Sequence, residues 1–404
     1  MNINKKLIGI IVIPFVLLGI LVFSFHQMWN DDTGNKSQIK ISTNKEDSAD
    51  SNEDYIAKRN KSVKDVANLK TIEAKGKQYQ EINKYLKKQK FNGTIAVFKD
   101  GKLVMNKGYG YQDFEHKIKS SPNTMYLIGS AQKFTTGLML KQLELEHKIN
   151  INAPVSKYLP WFKTSKKITL KDLELHKSGL YKFQASPSYE TLDDAVHAIQ
   201  EKGMDPNGYH KHLYNDGNYL VLAKVIEEVT HKPYAQNYYE RLGKPLKLNN
   251  SAFFNEKPFQ QHMAIGYYYK NNNLISAKPN TLQEYYGAGN LFMTTKDMGV
   301  LLEKLINNKI FDQSVTNPFI HEFGTKRYPT NYRYGFYTFP KYNRVSGMFN
   351  GQNFTGFSNG KYTVVLGTNK ILSNTTNNEY KITHIFQNIL KQNYDINVYG
   401  KKFY

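Results

Sequence analysis

Apolar and polar positions divide the chain into three stretches with different patterns. Residues 7–25 form an uncharged apolar run, about as long as the ~20 residues that span a bilayer core. Residues 30–70 are polar, mixed in charge and poor in large apolar side chains, so they cannot offset the entropy lost on ordering. Helical and strand patterns follow. We predict a membrane segment in 1–29, a flexible tether over 30–72 and a folded domain over 73–404.

The residues around the apolar run predict which way it faces. Lys5 and Lys6 precede it, and positive residues before a span favour an N-terminus left in the cytoplasm. Bulky residues at 22–25 do not fit a cleavage site for small side chains, so we expect an uncleaved anchor rather than a cleaved signal peptide. The expected location is the cell membrane, with the folded domain on the extracytoplasmic face and associated with the cell wall.

The folded part has strand patterns at both ends and helical patterns between them. Tyr79, Ile82 and Leu86 share one face of a predicted helix, and Asp100-Gly101 between two β-rich runs predicts a hairpin. We therefore expect an α+β fold: one antiparallel sheet built from N- and C-terminal segments, flanked by helices, with an inserted helical subdomain. The predicted elements are helix 77–89, strands 93–98 and 102–107, strand 361–367 and helix 380–390.

Charge and cysteine usage narrow the partners. The chain has 55 Lys+Arg against 34 Asp+Glu, a net charge of +21, and such a surface attracts polyanions. Outside a membrane the expected polyanion is an anionic envelope polymer rather than nucleic acid. The absence of cysteine excludes disulfides, thiol nucleophiles and thiolate metal sites.

Ser130 and Lys133 are the candidate nucleophile and base. Four Ser-x-x-Lys matches occur in this lysine-rich chain, so the spacing alone carries little weight. Ser130 precedes a run in which Ala131, Phe134 and Leu138 share a face, which places it at a helix N-terminus with Lys133 beside it. The other three matches are Ser37–Lys40 and Ser42–Lys45 in the tether, and Ser358–Lys361 in a turn that we expect to leave its serine unburied.

Tyr214 is a candidate proton carrier. It begins a polar turn that runs into an amphipathic helix with Leu222, Val225 and Ile226 facing inward. Among 30 tyrosines this position would not stand out by itself. We interpret His176 as a residue at a helix end. His210 and His212 have no third ligand in the sequence, so no metal site and no cofactor are expected.

Several motifs in the same order resemble one family. The chain is similar, over about residues 77–395, to the serine β-lactamase and penicillin-binding-protein superfamily, in particular to class C β-lactamases, D-Ala-D-Ala carboxypeptidases and their esterase relatives. The resemblance implies Ser130 as acylated nucleophile, Lys133 as its base and Tyr214 as proton relay. The motifs are the hairpin and segments 128–134, 151–160, 172–180, 214–230 and 287–298.

Two departures from the family pattern bear on the substrate. Asp216 replaces the family's Asn, and its carboxylate could hold a substrate ammonium, keep Lys133 charged or orient a water. In the family's third motif only Ser346 and Gly347 match, as candidate substrate-binding residues, and the cation that grips a substrate carboxylate is missing. An ester with a free amine and no carboxylate fits this site better than a peptide stem.

The resemblance therefore implies an acyl-serine esterase that removes D-alanine from teichoic acids, with teichoic acid and the membrane as partners. Two alternatives remain open at this point. One is a penicillin-binding-protein-like D,D-carboxypeptidase or weak β-lactamase, for which β-lactams would be acylating ligands. The other is a non-catalytic protein that binds cell-wall polymer.

Overall fold

The computed structural model describes residues 50–63, 66–271, 273–371 and 378–392. The predicted membrane segment and the first part of the predicted tether, residues 30–49, lie outside this part of the chain. Within it, no helix has both the length and the apolar character needed to cross a bilayer.

The described chain has strands near both ends and a long helical stretch between them. The helices are α1 (Asn52–Ser62), α2 (Lys77–Lys88), α3 (Gln132–Leu145), α4 (Leu170–Glu174), α5 (Leu192–Lys202), α6 (Asp216–Thr230), α7 (Tyr234–Tyr238), α8 (Thr295–Ile306), α9 (Gln313–His321) and α10 (Asn378–His384). The strands are β1 (Ile72–Glu73), β2 (Gly93–Lys99), β3 (Lys102–Tyr109), β4 (Tyr111–Asp113), β5 (Ile118–Lys119), β6 (Tyr126–Leu127), β7 (Ser251–Phe253), β8 (Gly266–Lys270), β9 (Asn273–Ala277), β10 (Leu291–Met293), β11 (Tyr332–Arg333), β12 (Phe336–Phe339), β13 (Tyr342–Phe349), β14 (Gln352–Ser358), β15 (Tyr362–Thr368) and β16 (Lys370–Ile371).

The main sheet joins the two ends of the folded domain. Among the described residues it has eight antiparallel strands in the order β1-β3-β2-β15-β14-β13-β12-β11. The N-terminal β2 pairs with the C-terminal β15, with Val97 opposite Val364. Asp100 and Gly101, in the β2–β3 turn, both have positive φ, as a two-residue hairpin turn requires. The predicted antiparallel sheet and hairpin are confirmed.

Helices cover the sheet because each has an apolar stripe to bury. Tyr79, Ile82 and Leu86 of α2 are buried, and they pack with Ile382 of α10 and Phe386 beyond it over one face. The larger core includes the other face and the inserted helices α3–α7. Within this core α3 is buried on almost every side, so its N-terminus lies where the subdomain meets the sheet.

Helix α1 corrects part of the predicted tether. Ser51 and Asp54 form a capping box at its start, and Ile56 is buried in the larger core. Two polar contacts hold α1 to the domain: Asn52 Nδ2 donates to Glu227 Oε1 at 2.7 Å, and Arg59 Nε donates to Glu256 Oε2 at 3.0 Å. The segment is polar because it docks through hydrogen bonds and ion pairs, so its composition did not distinguish it from a tether.

Candidate active site

A tight turn presents Ser130 at the start of α3. Residues Gly129–Ala131 form a 3-10 turn that continues directly into the helix, and Gly129 has φ +53, a conformation that favours glycine. Buried Gln132 fixes this turn to β10, since its Oε1 accepts from Leu291 N at 2.9 Å and its Nε2 donates to Asn290 Oδ1 at 3.1 Å.

The structure brings four of the six candidate residues into direct contact. Lys133 Nζ lies 3.2 Å from Ser130 Oγ, and the Tyr214 hydroxyl donates to Ser130 Oγ at 2.6 Å. Lys133 Nζ also donates to Asp216 Oδ1 at 2.6 Å and to the carbonyl of Ala288 at 3.2 Å. Ser130 therefore has both a lysine and a tyrosine within proton-transfer distance.

Lys133 and Asp216 form an ion pair with unequal exposure. The lysine side chain is 1% exposed, whereas the aspartate side chain is 34% exposed. Burial lowers the pKa of Lys133, but the charge of Asp216 and the hydroxyl of Tyr214 outweigh it, and the net pKa is raised to about 12. Lys133 is therefore charged in the resting site, and the open side of Asp216 faces solvent.

The start of α6 sets the positions of Tyr214 and Asp216. Asn215 caps the helix, since its Oδ1 accepts from Gly217 N at 3.1 Å. The same oxygen accepts from Phe183 N at 3.0 Å, and its Nδ2 donates to the carbonyls of Leu180 and Tyr181. Because Asn215 is buried, the two residues on either side of it are held in place.

His176 packs against the ring of Tyr214. The sequence did not identify it as a site residue. It follows α4, as predicted for a helix-end residue, and it is buried, with its ring centroid 4.4 Å from that of Tyr214. Its Nδ1 accepts from Asn215 N at 3.3 Å and Asn218 Nδ2 at 3.0 Å, so its Nε2–H must donate to the Tyr332 hydroxyl, 3.0 Å away.

The imidazole of His176 is neutral in this network. Burial lowers its pKa well below 6.5, and the charges of Lys133 and His212 add to the effect. A neutral ring with a fixed tautomer holds Tyr214 without adding charge beside Lys133. The His-Lys-Ser-Gly segment gave no sequence signal for this role, because the partners of His176 come from β11 and from the start of α6.

Gly347 and Ser346 place β13 against the nucleophile. A Cβ added at Gly347 would lie 2.0 Å from the carbonyl oxygen of Ile128 and 2.7 Å from Ser130 N, so only glycine allows this approach. Ser346 is half-buried, and its hydroxyl lies 3.1 Å from Thr355 Oγ1. Gly347 thus lies directly beside Ser130, while the described hydrogen bond of Ser346 is made within the sheet.

The cation nearest to this motif on β13 is engaged elsewhere. Arg344 Nε donates to Glu379 Oε1 at 2.9 Å, and its Cζ lies 4.7 Å from the ring centroid of Tyr337. The guanidinium of Arg344 is thus bound by residues of α10 and β12. The strand offers no free cation at the position where the resemblance would place a carboxylate-binding lysine.

The Ser358–Lys361 match lies away from this site. Ser358 ends β14 and, contrary to expectation, is fully buried, because the strand end faces the core. Its Oγ accepts from Thr363 Oγ1 at 2.6 Å, and Lys361 is exposed. For His210, the carboxylate of Asp172 lies 4.0 Å away. In the described part of the chain, no group of three or more metal-ligating carboxylate or imidazole side chains converges.

Comparison with known proteins agrees with this geometry. Residues 77–381 match the family described as Beta-lactamase. A protein of Staphylococcus aureus named "Teichoic acid D-alanine hydrolase" is 53% identical over 397 residues, which cover 98% of each chain.

Two solved structures extend the comparison. The crystal structure of FmtA from Staphylococcus aureus superposes with a TM-score of 0.83 at 57% identity and covers 87% of this chain and 97% of that one. A D-amino acid amidase from Ochrobactrum anthropi SV3, at 16% identity, has a TM-score of 0.65 over 78% of this chain and 99% of its own, and shares the fold. With its family match, fold and Ser-x-x-Lys site, the chain belongs to the beta-lactamase family.

Proposed function

We propose that this protein is a serine esterase that removes D-alanine from teichoic acids. The observation that carries the proposal is the buried Lys133–Asp216 pair beside Ser130, with the carboxylate half-open to solvent. A carboxylate at the mouth of a nucleophile site suits a substrate with an ammonium group. The 53% identity to a protein named for teichoic acid D-alanine hydrolysis supports the same substrate.

The ion pair also gives Lys133 a way to become a base. At rest Lys133 is charged and cannot accept a proton. When the ammonium of an alanyl ester binds Asp216, the carboxylate is shared and a second positive charge lies nearby. Both changes lower the pKa of Lys133. The correct substrate thus increases the neutral fraction of the lysine that must take the proton of Ser130.

Acylation and deacylation follow from the contacts of Ser130. Its Oγ attacks the ester carbonyl, and its proton passes to Lys133 directly or through Tyr214. The backbone N–H groups of Ser130 and Met348 are the proposed oxyanion donors, since a Cβ added at Gly129 would lie 3.2 Å from Met348 N. The same lysine and tyrosine return the proton to the leaving polyol oxygen, and water then releases D-alanine from Ser130.

The engaged cation on β13 supports the choice of substrate. A peptide stem that ends in a carboxylate needs a free positive group beside the nucleophile, whereas Arg344 is held by Glu379. A D-alanyl ester has no carboxylate and carries an ammonium that Asp216 can bind. We propose accordingly that β-lactams, which carry a carboxylate, acylate Ser130 only weakly.

We also propose that the protein is anchored in the cell membrane by residues 1–29, with its folded domain on the extracytoplasmic face near the cell wall. The apolar run with its preceding lysines supports this location, and the net charge of +21 suits an anionic wall polymer. Membrane fractionation with protease accessibility on intact cells tests it: digestion of the folded domain from outside is expected, and protection would contradict it.

The test of the proposed function is release of D-alanine from D-alanylated teichoic acid by the full-length protein and by Ser130→Ala. We expect release by the first and none above background by the second. A folded wild-type protein that binds the polymer and releases no D-alanine would reject the esterase. Release that persists in Ser130→Ala would reject the nucleophile.

A further inference from the structure

A cavity outside the Ser130 site is strongly basic. It has a volume of about 440 Å³ and lies between α3, α4 and the segment that leads into β11. None of Ser130, Lys133, Tyr214 and Asp216 lines it. Its walls carry five cationic side chains against two carboxylates. The cations are Lys141, Lys171, Lys326, Arg327 and Arg333.

Arg333 is a buried guanidinium in this cavity, and no carboxylate of the described residues forms an ion pair with it. It is 1% exposed, and among the described residues its Nη atoms donate only to carbonyl oxygens, of which Thr330 O at 3.0 Å is the nearest. Its Nε is buried with no hydrogen-bond acceptor among the described residues, and no carboxylate of those residues lies within 4.0 Å of it. Glu174 and Glu322 act on its charge only from beyond ion-pair distance, and burying a charge without a close counter-ion is costly.

Tyr328 adds a second unused donor to the same cavity. Its hydroxyl is buried and has no partner in the described structure. Its ring lies between two cations, with Arg333 Cζ 4.3 Å and Arg327 Cζ 5.3 Å from the ring centroid. Two buried donors without acceptors in one basic cavity are the complement of an oxyanion with several acceptor atoms.

The two carboxylates of the cavity are already used by the protein. Glu144 Oε2 accepts from Lys141 Nζ at 2.9 Å and from the Tyr334 hydroxyl at 2.9 Å. Glu174 accepts from the backbone of Tyr334, and burial raises its pKa to about 7, so part of its population is neutral. The carboxylates therefore leave Arg333 Nε without an acceptor, and the rim cations Lys326 and Arg327 without an ion-pair partner, among the described residues.

We propose that this cavity binds a phosphate group through Arg333, Tyr328 and the rim cations Lys326 and Arg327. This identification of the ligand rests on the proposed function: the phosphate is a phosphodiester of the polyol-phosphate backbone of the polymer substrate. Free inorganic phosphate has the same recognisable chemistry and is the alternative source. The volume falls within the ~300–1,000 Å³ usual for small-ligand sites, enough for one phosphate and its adjoining polyol.

The test is calorimetric titration of the full-length protein in detergent with three probes: inorganic phosphate, dealanylated poly(glycerol phosphate) and polyaspartate. The test variant Lys326→Gln/Arg327→Gln removes the rim charges. Its matched control, Lys87→Gln/Lys88→Gln, removes two exposed charges from α2. Arg333→Lys keeps the buried charge and removes the guanidinium fork, with its thermal unfolding recorded to confirm that it folds.

We expect the rim variant to weaken phosphate and polymer binding by roughly tenfold, the effect of losing a charge-assisted hydrogen bond. In the α2 control, the affinity for phosphate and polymer should change by less than about twofold. The affinity for polyaspartate should differ by less than about twofold between the two double variants. Equal losses in both double variants, or no phosphate binding to the wild type, would overturn the site. Rim-dependent binding of inorganic phosphate without rim-dependent polymer binding would support the site and identify the free ion as its ligand.

Hydrolysis separates this inference from the proposed function. If both hold, the rim variant raises KM for D-alanylated polymer and leaves kcat unchanged. If the protein releases no D-alanine at all, the proposed function fails, while the titrations with dealanylated polymer still decide whether the cavity binds phosphate.

Discussion

Ser130–Lys133 and Ser358–Lys361 have the same spacing and opposite surroundings. Lys133 is buried on a helix and contacts Ser130, Asp216 and a carbonyl. Lys361 is exposed in a turn, and Ser358 is bonded to Thr363 within the sheet. Both serines are shielded from solvent to some degree, so burial does not distinguish them. The difference is that only Ser130 has groups nearby that can accept and return its proton.

The largest expected effect comes from removing each serine in turn. Ser130→Ala is expected to lower D-alanine release by roughly a thousandfold or more, as for loss of a nucleophile. Ser358→Ala is expected to leave kcat/KM within about twofold, because its hydroxyl accepts from Thr363 and from the backbone of Gly360, away from the site. Initial rates with D-alanylated teichoic acid measure both. Similar losses in the two variants would remove the distinction between the sites.

Gly347→Ala tests whether contact with β13 is part of what makes Ser130 different. The new Cβ would meet the carbonyl of Ile128 at 2.0 Å, and relief requires the nucleophile turn to move. We expect a loss of about 3 kcal/mol in unfolding free energy and roughly a hundredfold in kcat/KM. The control is Gly289→Ala, whose Cβ would meet nothing closer than 3.6 Å and should be nearly neutral in both measurements.

Asp216→Asn tests whether the carboxylate of Asp216 is what keeps Lys133 charged in the resting site. Removing the carboxylate takes away the main effect that raises the pKa of Lys133 and leaves burial, which lowers it. Because Lys133 must be neutral to accept a proton, kcat/KM rises with pH toward its pKa, and this rising limb is expected at lower pH in the variant. For alanyl esters, kcat/KM at neutral pH should fall by roughly tenfold as the ammonium contact is lost.

An acetyl ester serves as the control for that variant, since it has no ammonium. Its hydrolysis at neutral pH should be unchanged or faster in Asp216→Asn. Asp193→Asn, which removes an exposed carboxylate of α5, should leave both substrates unaffected. A rising limb that stays in place would show that Asp216 does not keep Lys133 charged. An equal loss for both esters would show that Asp216 does not bind the amine.

His176→Gln tests the support beneath Tyr214 with a smaller effect. The folded pKa of His176 lies well below 6.5, so the unfolded chain binds its proton first as pH falls. Stability from this group is present above about pH 6.5 and is lost below it, by at most about 1.4 kcal/mol per pH unit. Chemical denaturation of wild type and variant across pH 5–8 should give a stability difference that shrinks as pH falls.

The difference in unfolding free energy between wild type and His176→Gln separates the pH effect of His176 from those of Glu174 and Glu284. Burial raises the pKa of Glu174 to about 7 and that of Glu284 to about 8, so their contributions change with pH in the opposite direction. Those contributions are common to both proteins and cancel. A pH-independent difference would mean that His176 is not held neutral in the folded state.

Local patterns were sufficient for most of the fold. The Asp100-Gly101 hairpin and the Tyr79, Ile82 and Leu86 face were predictable because turn geometry and helical period depend on neighbours in sequence. Helix α1 was not predictable, because its stability comes from distant partners, Glu227 and Glu256. Composition registers how polar a segment is and does not show what it docks against.

Only the site residues that lie in recognisable sequence motifs were predictable. Ser130, Lys133, Tyr214 and Asp216 stand in segments with family-like patterns, and the structure brings them together. His176 and the occupation of Arg344 by Glu379 depend on contacts between segments far apart in the chain. Such pairings leave no periodic or spacing signal, so they required the three-dimensional arrangement.

The most direct test of the difference between the two serines is to identify which one is acylated. Full-length protein is mixed with D-alanylated teichoic acid, quenched in acid within one turnover and digested for mass spectrometry. We predict an alanyl group on the peptide that contains Ser130 and an unmodified Ser358 peptide. An alanyl group on Ser358, or D-alanine release with Ser130 unmodified at every quench time, would contradict this prediction.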